Sequence, residues 1–355
     1  MKPTILNRGV RGGVKPDLIK LFSTLVAVFG FLRGAFANPA GLTVQSGTAT
    51  AVANGAQMNI TASHNAFLNW QSFNINAGQT TTFIQPSAAS VVWNNIHDQN
   101  PSQIYGNLTA NGVVVLMNRS GFYFGPNSFV SAAGLIVSTA PVTPVESSAG
   151  MFWQFNGAPP AASIVNYGQL NVGRGGAAFL IAERIENHGN ISAPEGGIGL
   201  IAGQEVLLSE RPDGRGLSAT VRLPSGSVDN TGRLVADGGT IALNAQVVNQ
   251  NGVVQANSIR ERNGIIELVA AETITLGDHS VISANGDLSN ASDGGEHQNQ
   301  IRRDIRRLVV VADQCCRRRI GRGWWFCGSF RAVHAFHPLA DCGPRQSRAP
   351  SAAVC

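Results

Sequence analysis

Between Asn38 and about Gly295 the apolar positions fall into short runs of four to six residues, broken by glycine or asparagine. One run ends in alanine and occurs four times. It reads Phe179-Leu180-Ile181-Ala182, Gly199-Leu200-Ile201-Ala202, Ala242-Leu243-Asn244-Ala245 and Glu267-Leu268-Val269-Ala270. Each copy follows a turn: Gly175-Gly176, Gly196-Gly197, Gly238-Gly239 or Asn263-Gly264. The second residues of these turns (176, 197, 239, 264) are 21, 42 and 25 positions apart. Asn-x-Gly turns form a second register at Asn166-Tyr167-Gly168, Asn187-His188-Gly189 and Asn230-Thr231-Gly232, and Asn249-Gln250-Asn251-Gly252 continues it with one extra residue. The period is close to 21 residues, with one coil doubled around the turn-rich insertion Arg211-Pro212-Asp213-Gly214-Arg215-Gly216.

A period of this length holds two or three strands separated by residues that tolerate left-handed backbone angles. One such coil cannot bury its own apolar face, whereas coils stacked in register pair every backbone group and align Val, Ile and Leu into a continuous core. The pattern therefore predicts an all-β chain, a right-handed parallel β-helix with an N-terminal cap, whose repeated asparagines can ladder along the axis. About a dozen coils at roughly 4.8 Å each would make a stack on the order of 55–60 Å long. A sandwich or antiparallel barrel would instead show hairpin turns every 8–12 residues, roughly, without a sustained longer period.

Composition agrees with strands: 41 of 355 residues are Gly and only 13% are charged. The N-terminus changes the picture. A basic stretch (Lys2, Arg8, Arg11, Lys15, Lys20) precedes an apolar run from Leu21 to Leu32 and the small-x-small sequence Ala35-Phe36-Ala37. That run is shorter than the roughly 20 apolar residues a membrane-spanning helix needs. Residues 1–37 are expected to be a signal peptide cleaved at Ala35 and Ala37.

The formal charge of +5 also divides unevenly. Residues 301–355 hold 11 Arg, 3 acids and all five cysteines, but no Asn, Thr, Lys or Glu. Residues 38–300 are net acidic, which argues against phosphate-backbone contacts and hence against nucleic acid as a partner. A zinc site from Cys315, Cys327, His334, His337 and Cys342 lacks the close ligand pairs of known zinc modules. Residues 296–355 are expected to be an anomalous tail, translated out of frame and disordered.

The stretch that speaks to function lies upstream. Leu42-Thr43-Val44-Gln45-Ser46-Gly47 leads into His64-Asn65-Ala66-Phe67-Leu68-Asn69-Trp70-Gln71-Ser72-Phe73-Asn74-Ile75. Val91-Val92-Trp93-Asn94-Asn95-Ile96 and Ile104-Tyr105-Gly106-Asn107-Leu108-Thr109 follow, and the stretch closes with Val115-Leu116-Met117-Asn118-Arg119-Ser120-Gly121-Phe122-Tyr123-Phe124-Gly125-Pro126. This resembles the haemagglutination-activity (two-partner secretion) domain that opens filamentous-haemagglutinin-like exoproteins, and the downstream coils resemble those of high-molecular-weight adhesins. The likeness covers roughly 38–295, with 38–160 as the secretion domain proper and 161–295 as repeat coils. Two motifs depart from the family. Its Asn-Pro-Asn-Gly-Ile stands here as Asn118-Arg119-Ser120-Gly121-Phe122, and its Leu-Asn-Arg as Trp93-Asn94-Asn95.

The resemblance implies secretion through the periplasm and outer membrane of a Gram-negative bacterium, by a dedicated outer-membrane β-barrel transporter. The turn Asn118, Gly121, Phe122, Phe124 and Gly125 is the implied secretion motif, with Gly121 suited to a positive φ. An adhesin or haemagglutinin gripping a host-cell or surface receptor is the expected function. The alternative is the delivery module of a contact-dependent toxin or a haem-scavenging exoprotein. Residues 1–314 contain no cysteine, as suits a chain threaded unfolded through an oxidising compartment. No catalysis and no cofactor are expected. His97-Asp98 has no nucleophile placed with it, Glu183, Glu186 and Glu205 fall at different coil positions, and Trp70, Phe73, Trp93, Phe122 and Phe124 read as core and cap packing.

Overall fold

A computed structural model describes residues 38–140, 142–147, 150–156, 161–210, 217–259, 263–286 and 308–310. The signal segment with Ala35 and Ala37, the insertion 211–216 and all five cysteines lie outside them. Every regular element among the described residues is a strand. The strands stack as a parallel β-helix with three faces per coil.

One coil shows the scheme. Strand Ala177–Ile181 lies on the first face, Arg184–Asn187 on the second and Asn190–Ser192 on the third. The next coil repeats it with Gly197–Ile201, Ser227–Asn230 and Arg233–Val235, and every pairing between the two coils is parallel. Inward positions form columns. On the first face Ala66, Val92, Val114, Leu135, Ala178, Ile198, Ile241 and Ile266 stand over one another, all at most 4% exposed. Burying each branched side chain stabilises the stack by about 1.5–3 kcal/mol. The column exists only because register is held from coil to coil.

Register comes from two devices visible in the repeats. Asn166, Asn187, Asn230 and Gln250 form a buried amide ladder, each Nδ2 donating to the next side-chain oxygen at 2.8, 2.8 and 2.7 Å. Its last member is Gln250, so the coil carrying it needs no extra residue. Beside the ladder, Gly168, Gly189, Gly232 and Gly252 stack so closely that a Cβ on one meets the carbonyl oxygen of the one before.

The front is capped by antiparallel pairs. Thr43–Ser46 pairs with Ala66–Trp70, and Ala49–Asn54 with Gln57–Ala62. Among the described residues the third-face sheet has ten strands, so apart from its antiparallel first strand it holds nine rungs, not a dozen. At about 4.8 Å per rung the stack is nearer 40 Å than 55–60 Å.

The shortfall has a physical cause. The 43-residue step from Asn187 to Asn230 is not two coils. It is one coil with a hairpin, Gly203–Glu210 and Leu217–Pro224, thrown out at the corner between the first and second faces. A second hairpin, Val142–Ser147 and Gly150–Asn156, leaves at the same corner, and the two join into a four-stranded antiparallel sheet. This sheet covers the outside of the first face. Trp153, Phe155, Val206 and Leu208 pack on Trp93, Val115, Ile136, Phe179 and Ile201 in a second core outside the helix. Trp93 and Trp153 meet edge to face at 5.2 Å.

One turn is also displaced by a residue. Gly196 aligns with Gly176 and Gly239, while Gly197 begins the strand that pairs with Ala177 and Thr240. The turn is Glu195-Gly196, and Glu195 takes the left-handed φ of 55° that Gly175 (75°) and Gly238 (69°) take in the flanking coils. An ion pair with Arg174 at 2.7 Å ties its side chain to the coil below.

Among the described residues the last rung of the third face, Val281–Ser283, is the edge of its sheet. Three residues of the anomalous tail, Leu308–Val310, form a strand antiparallel to Leu268–Ala270.

Candidate secretion motif

The implied secretion motif sits at the corner between the first and second faces of an early coil. Strand Val113–Asn118 brings the chain in, and Phe122–Phe124 takes it away. Asn118 is 1% exposed, and its amide holds the turn together. Its Nδ2 donates to Ser102 Oγ at 2.9 Å and to the Asn100 carbonyl at 3.1 Å, while its Oδ1 accepts the Ser120 N–H at 2.9 Å. The Gly121 N–H closes the turn on the Asn118 carbonyl at 3.0 Å. Gly121 has the expected positive φ, 106°, and a Cβ there would lie 2.5 Å from the Ser163 carbonyl oxygen of the next coil.

Phe122 and Phe124 point into the core, at 1% and 0% exposure, with their rings stacked at 6.2 Å. The Gly125 N–H continues the rung by donating to the Ile104 carbonyl, and a Cβ at Gly125 would meet the Tyr105 ring. All five motif residues therefore act by building the corner and the rung that leaves it. What the corner shows to solvent is Arg119, an exposed side chain at its tip.

The partners of this turn were not legible in the motif itself. They come from the loop before Ser102–Ile104. Asp98 accepts the Asn100 N–H on Oδ1 at 2.9 Å, which shapes the loop, and its carbonyl accepts the Ser120 hydroxyl at 2.9 Å. Polar residues at loop positions 98, 100 and 102 are the signal that could have identified them. The retained asparagine of the second motif is equally structural. Asn94 is fully buried, accepts the Trp70 indole N–H at 2.9 Å and donates to the Val115 carbonyl at 3.1 Å.

The other candidates do not assemble. His97 Nε2 lies 3.0 Å from Asn69 Oδ1 and 3.2 Å from Asn95 Nδ2, away from the Asp98 carboxylate's own loop contacts. Glu183 accepts from the Ser225 hydroxyl, Glu186 pairs with Arg184, and Glu205 pairs with Arg222 on the outer sheet. Trp70, Phe73, Trp93, Phe122 and Phe124 are all buried. Among the described residues no group of three or more His, Cys, Asp or Glu side chains could hold a metal, and no helix is long and apolar enough to cross a membrane.

Comparison with known proteins agrees with this geometry. The TPS secretion domain family model matches residues 35–290, across residue 160, where the parallel stack also runs on without a break. The HMW1 secretion domain from Haemophilus influenzae is similar in structure, with a TM-score of 0.59 and 27% identity over 70% of this chain and 74% of that one. A filamentous hemagglutinin secretion domain aligns over 69% of this chain and 98% of that one, at a TM-score of 0.41 and 17% identity. Heme/hemopexin-binding protein from Haemophilus influenzae is 29% identical over 235 residues, which are 62% of this chain and 26% of that protein. The chain thus spans about a quarter of this curated relative. Exoproteins with this domain are secreted by Gram-negative bacteria with an outer-membrane transporter as partner. The chain belongs to the TPS secretion domain family.

Proposed function

We propose that residues 1–37 address the chain to the periplasm, and that a β-barrel transporter there recognises the front coils and passes the chain unfolded across the outer membrane. The observation that supports this most is the corner at 118–121, where buried residues fix a turn whose exposed tip is Arg119. Because each coil touches only its neighbours, coils can stack one after another as the chain emerges. The module works by being exported and displayed, without chemistry of its own and without nucleic acid. On the surface it serves as the base of an adhesin gripping a host receptor. Kinship with a protein named for binding haem and hemopexin favours a second reading, capture of haem or its carrier.

Expression of the full chain with and without its transporter tests the export reading. The chain should reach the medium only when the barrel is present. Equal export without the barrel, or none with it, would overturn the proposal.

A further inference from the structure

Three exposed aromatic side chains gather on adjacent rungs at one corner. Tyr105 is 37% exposed, Phe129 39% and Tyr167 41%. Tyr105 and Tyr167 each stand two residues before a third-face strand, and Phe129 opens the strand between those two, paired with Asn107 on one side and Gln169 on the other. Tyr105 fills the space left by Gly125, and the Tyr123 ring lies 5.6 Å from Tyr105 and 5.9 Å from Tyr167, so the phenol rings form a tilted column beside Phe129. Core packing does not require these rings to face water, and grouped exposed aromatics mark an interaction surface.

The polar neighbours differ from those a few rungs earlier. Thr82 and Thr109 hydrogen-bond each other at 2.8 Å, and Asn107 Nδ2 donates to Thr80 at 3.3 Å. Beside Phe129, the Gln169 and Asn171 side chains have no hydrogen-bond partner among the described residues. Their amides can each donate and accept. Charge enters at the far end of the column, where His188 stacks on Tyr167 at 4.5 Å and lies 3.5 Å from Glu186, itself paired with Arg184 at 2.7 Å. Between residues 99 and 145 the only charged side chain is Arg119, which sits at the preceding corner of its coil, and residues 150–173 carry none.

We propose that this corner binds a neutral saccharide chain. A sugar ring offers an apolar C–H face to an aromatic side chain and a rim of hydroxyls to amides, which is what Tyr105, Tyr123, Phe129 and Tyr167 present beside Gln169 and Asn171. Arg184 on the next rung is already paired with the Glu186 carboxylate, and that carboxylate would repel a sulfate or sialate, which favours a neutral glycan. A protein partner's anchor would need a desolvated pocket, whereas these side chains form an open ridge. The inference rests on the reading that the module is displayed outside the cell.

The test is an array of neutral gluco-, galacto- and manno-oligosaccharides, with heparin oligosaccharides as the acidic comparison, probed with the purified full chain. Neutral glycans should be retained and heparin not. Phe129→Ala and Tyr167→Ala should each weaken retention about tenfold, as expected for losing one aromatic contact. Phe129→Tyr should keep it. Circular dichroism should show every variant folded, because both rings are more than a third exposed. No retained neutral glycan, retention unchanged in both alanine variants, or variants that disrupt only self-association or transporter binding would each overturn the proposal. Since the assay uses purified protein, its failure leaves export untouched, and an export failure leaves binding measurable.

Discussion

The front coils, residues 38 to 140, and the downstream coils, residues 161 to 286, stack on the same three faces but hold register differently. Downstream, one solution is repeated: an amide from each of four coils joins a single buried ladder, and glycines stacked in two columns (Gly168, Gly189, Gly232 and Gly252; Gly176, Gly196 and Gly239) let backbones close up. In the front coils each junction is individual. Asn94 joins Trp70 to the Val115 carbonyl, Asn111 exchanges hydrogen bonds with the Gln85 backbone, and Asn118 joins three groups around its own turn. Repetition suffices where a coil only continues the stack. On the function proposed above, the one-off junctions shape the surface that the transporter reads.

If that contrast is sound, the largest loss should follow from breaking the downstream repetition at its closest approach. Gly196→Val would drive a branched side chain into the Gly176 carbonyl, where neighbouring backbone leaves nothing flexible to yield. The expected cost is about 3 kcal/mol or more, read as a lower urea midpoint for unfolding. A midpoint within error of the parent would show that the glycine column is not what sets coil spacing.

A paired comparison comes next in size. Asn187→Ala should cost about 2–4 kcal/mol, because Asn166 loses its acceptor and Asn230 its donor inside a dry column. Asn118→Ala should cost less, about 1–2 kcal/mol, since the Asn100 carbonyl belongs to an exposed residue and can turn to water, leaving the buried Ser102 hydroxyl as the main group short of a partner. Its secretion defect should nevertheless be the larger of the two. Equal secretion by both variants at matched stability would remove the distinction between the regions.

The same contrast explains what could be read without coordinates. Periodic features were legible: the alanine-ended runs align as Phe179, Gly199, Ala242 and Glu267, and the Asn-x-Gly turns became a ladder. The hairpins were not, because an inserted hairpin makes a coil nearly as long as two, and counting residues cannot tell these apart. Glu195 was missed because its left-handed angle belongs by propensity to the glycine beside it. Gln250 was missed because the pattern named asparagine, although its longer amide reaches the same column. At the motif, the positive φ of Gly121 was predictable from the residue type, while the loop partners of Asn118 depend on how two coils meet.

The smallest expected effect on stability is also the most informative about recognition. From residue 38 to 145 the only charged side chains are Asp98 and Arg119. The Asp98 carboxylate is engaged within its own loop, accepting both the backbone N–H and the side-chain amide of Asn100. Arg119 is exposed at the tip of the turn, so Arg119→Glu should change unfolding by no more than about 0.5 kcal/mol. If a transporter reads the tip, reversing its charge should slow export in a salt-dependent way, and Arg119→Ala should fall between the two. Asn118→Ala would act through the shape of the turn and show no such salt dependence. Export rates for Arg119→Glu, Arg119→Ala and Asn118→Ala at low and high ionic strength separate the two effects. Identical rates for Arg119→Glu and the parent would mean that the corner is read through its backbone shape alone.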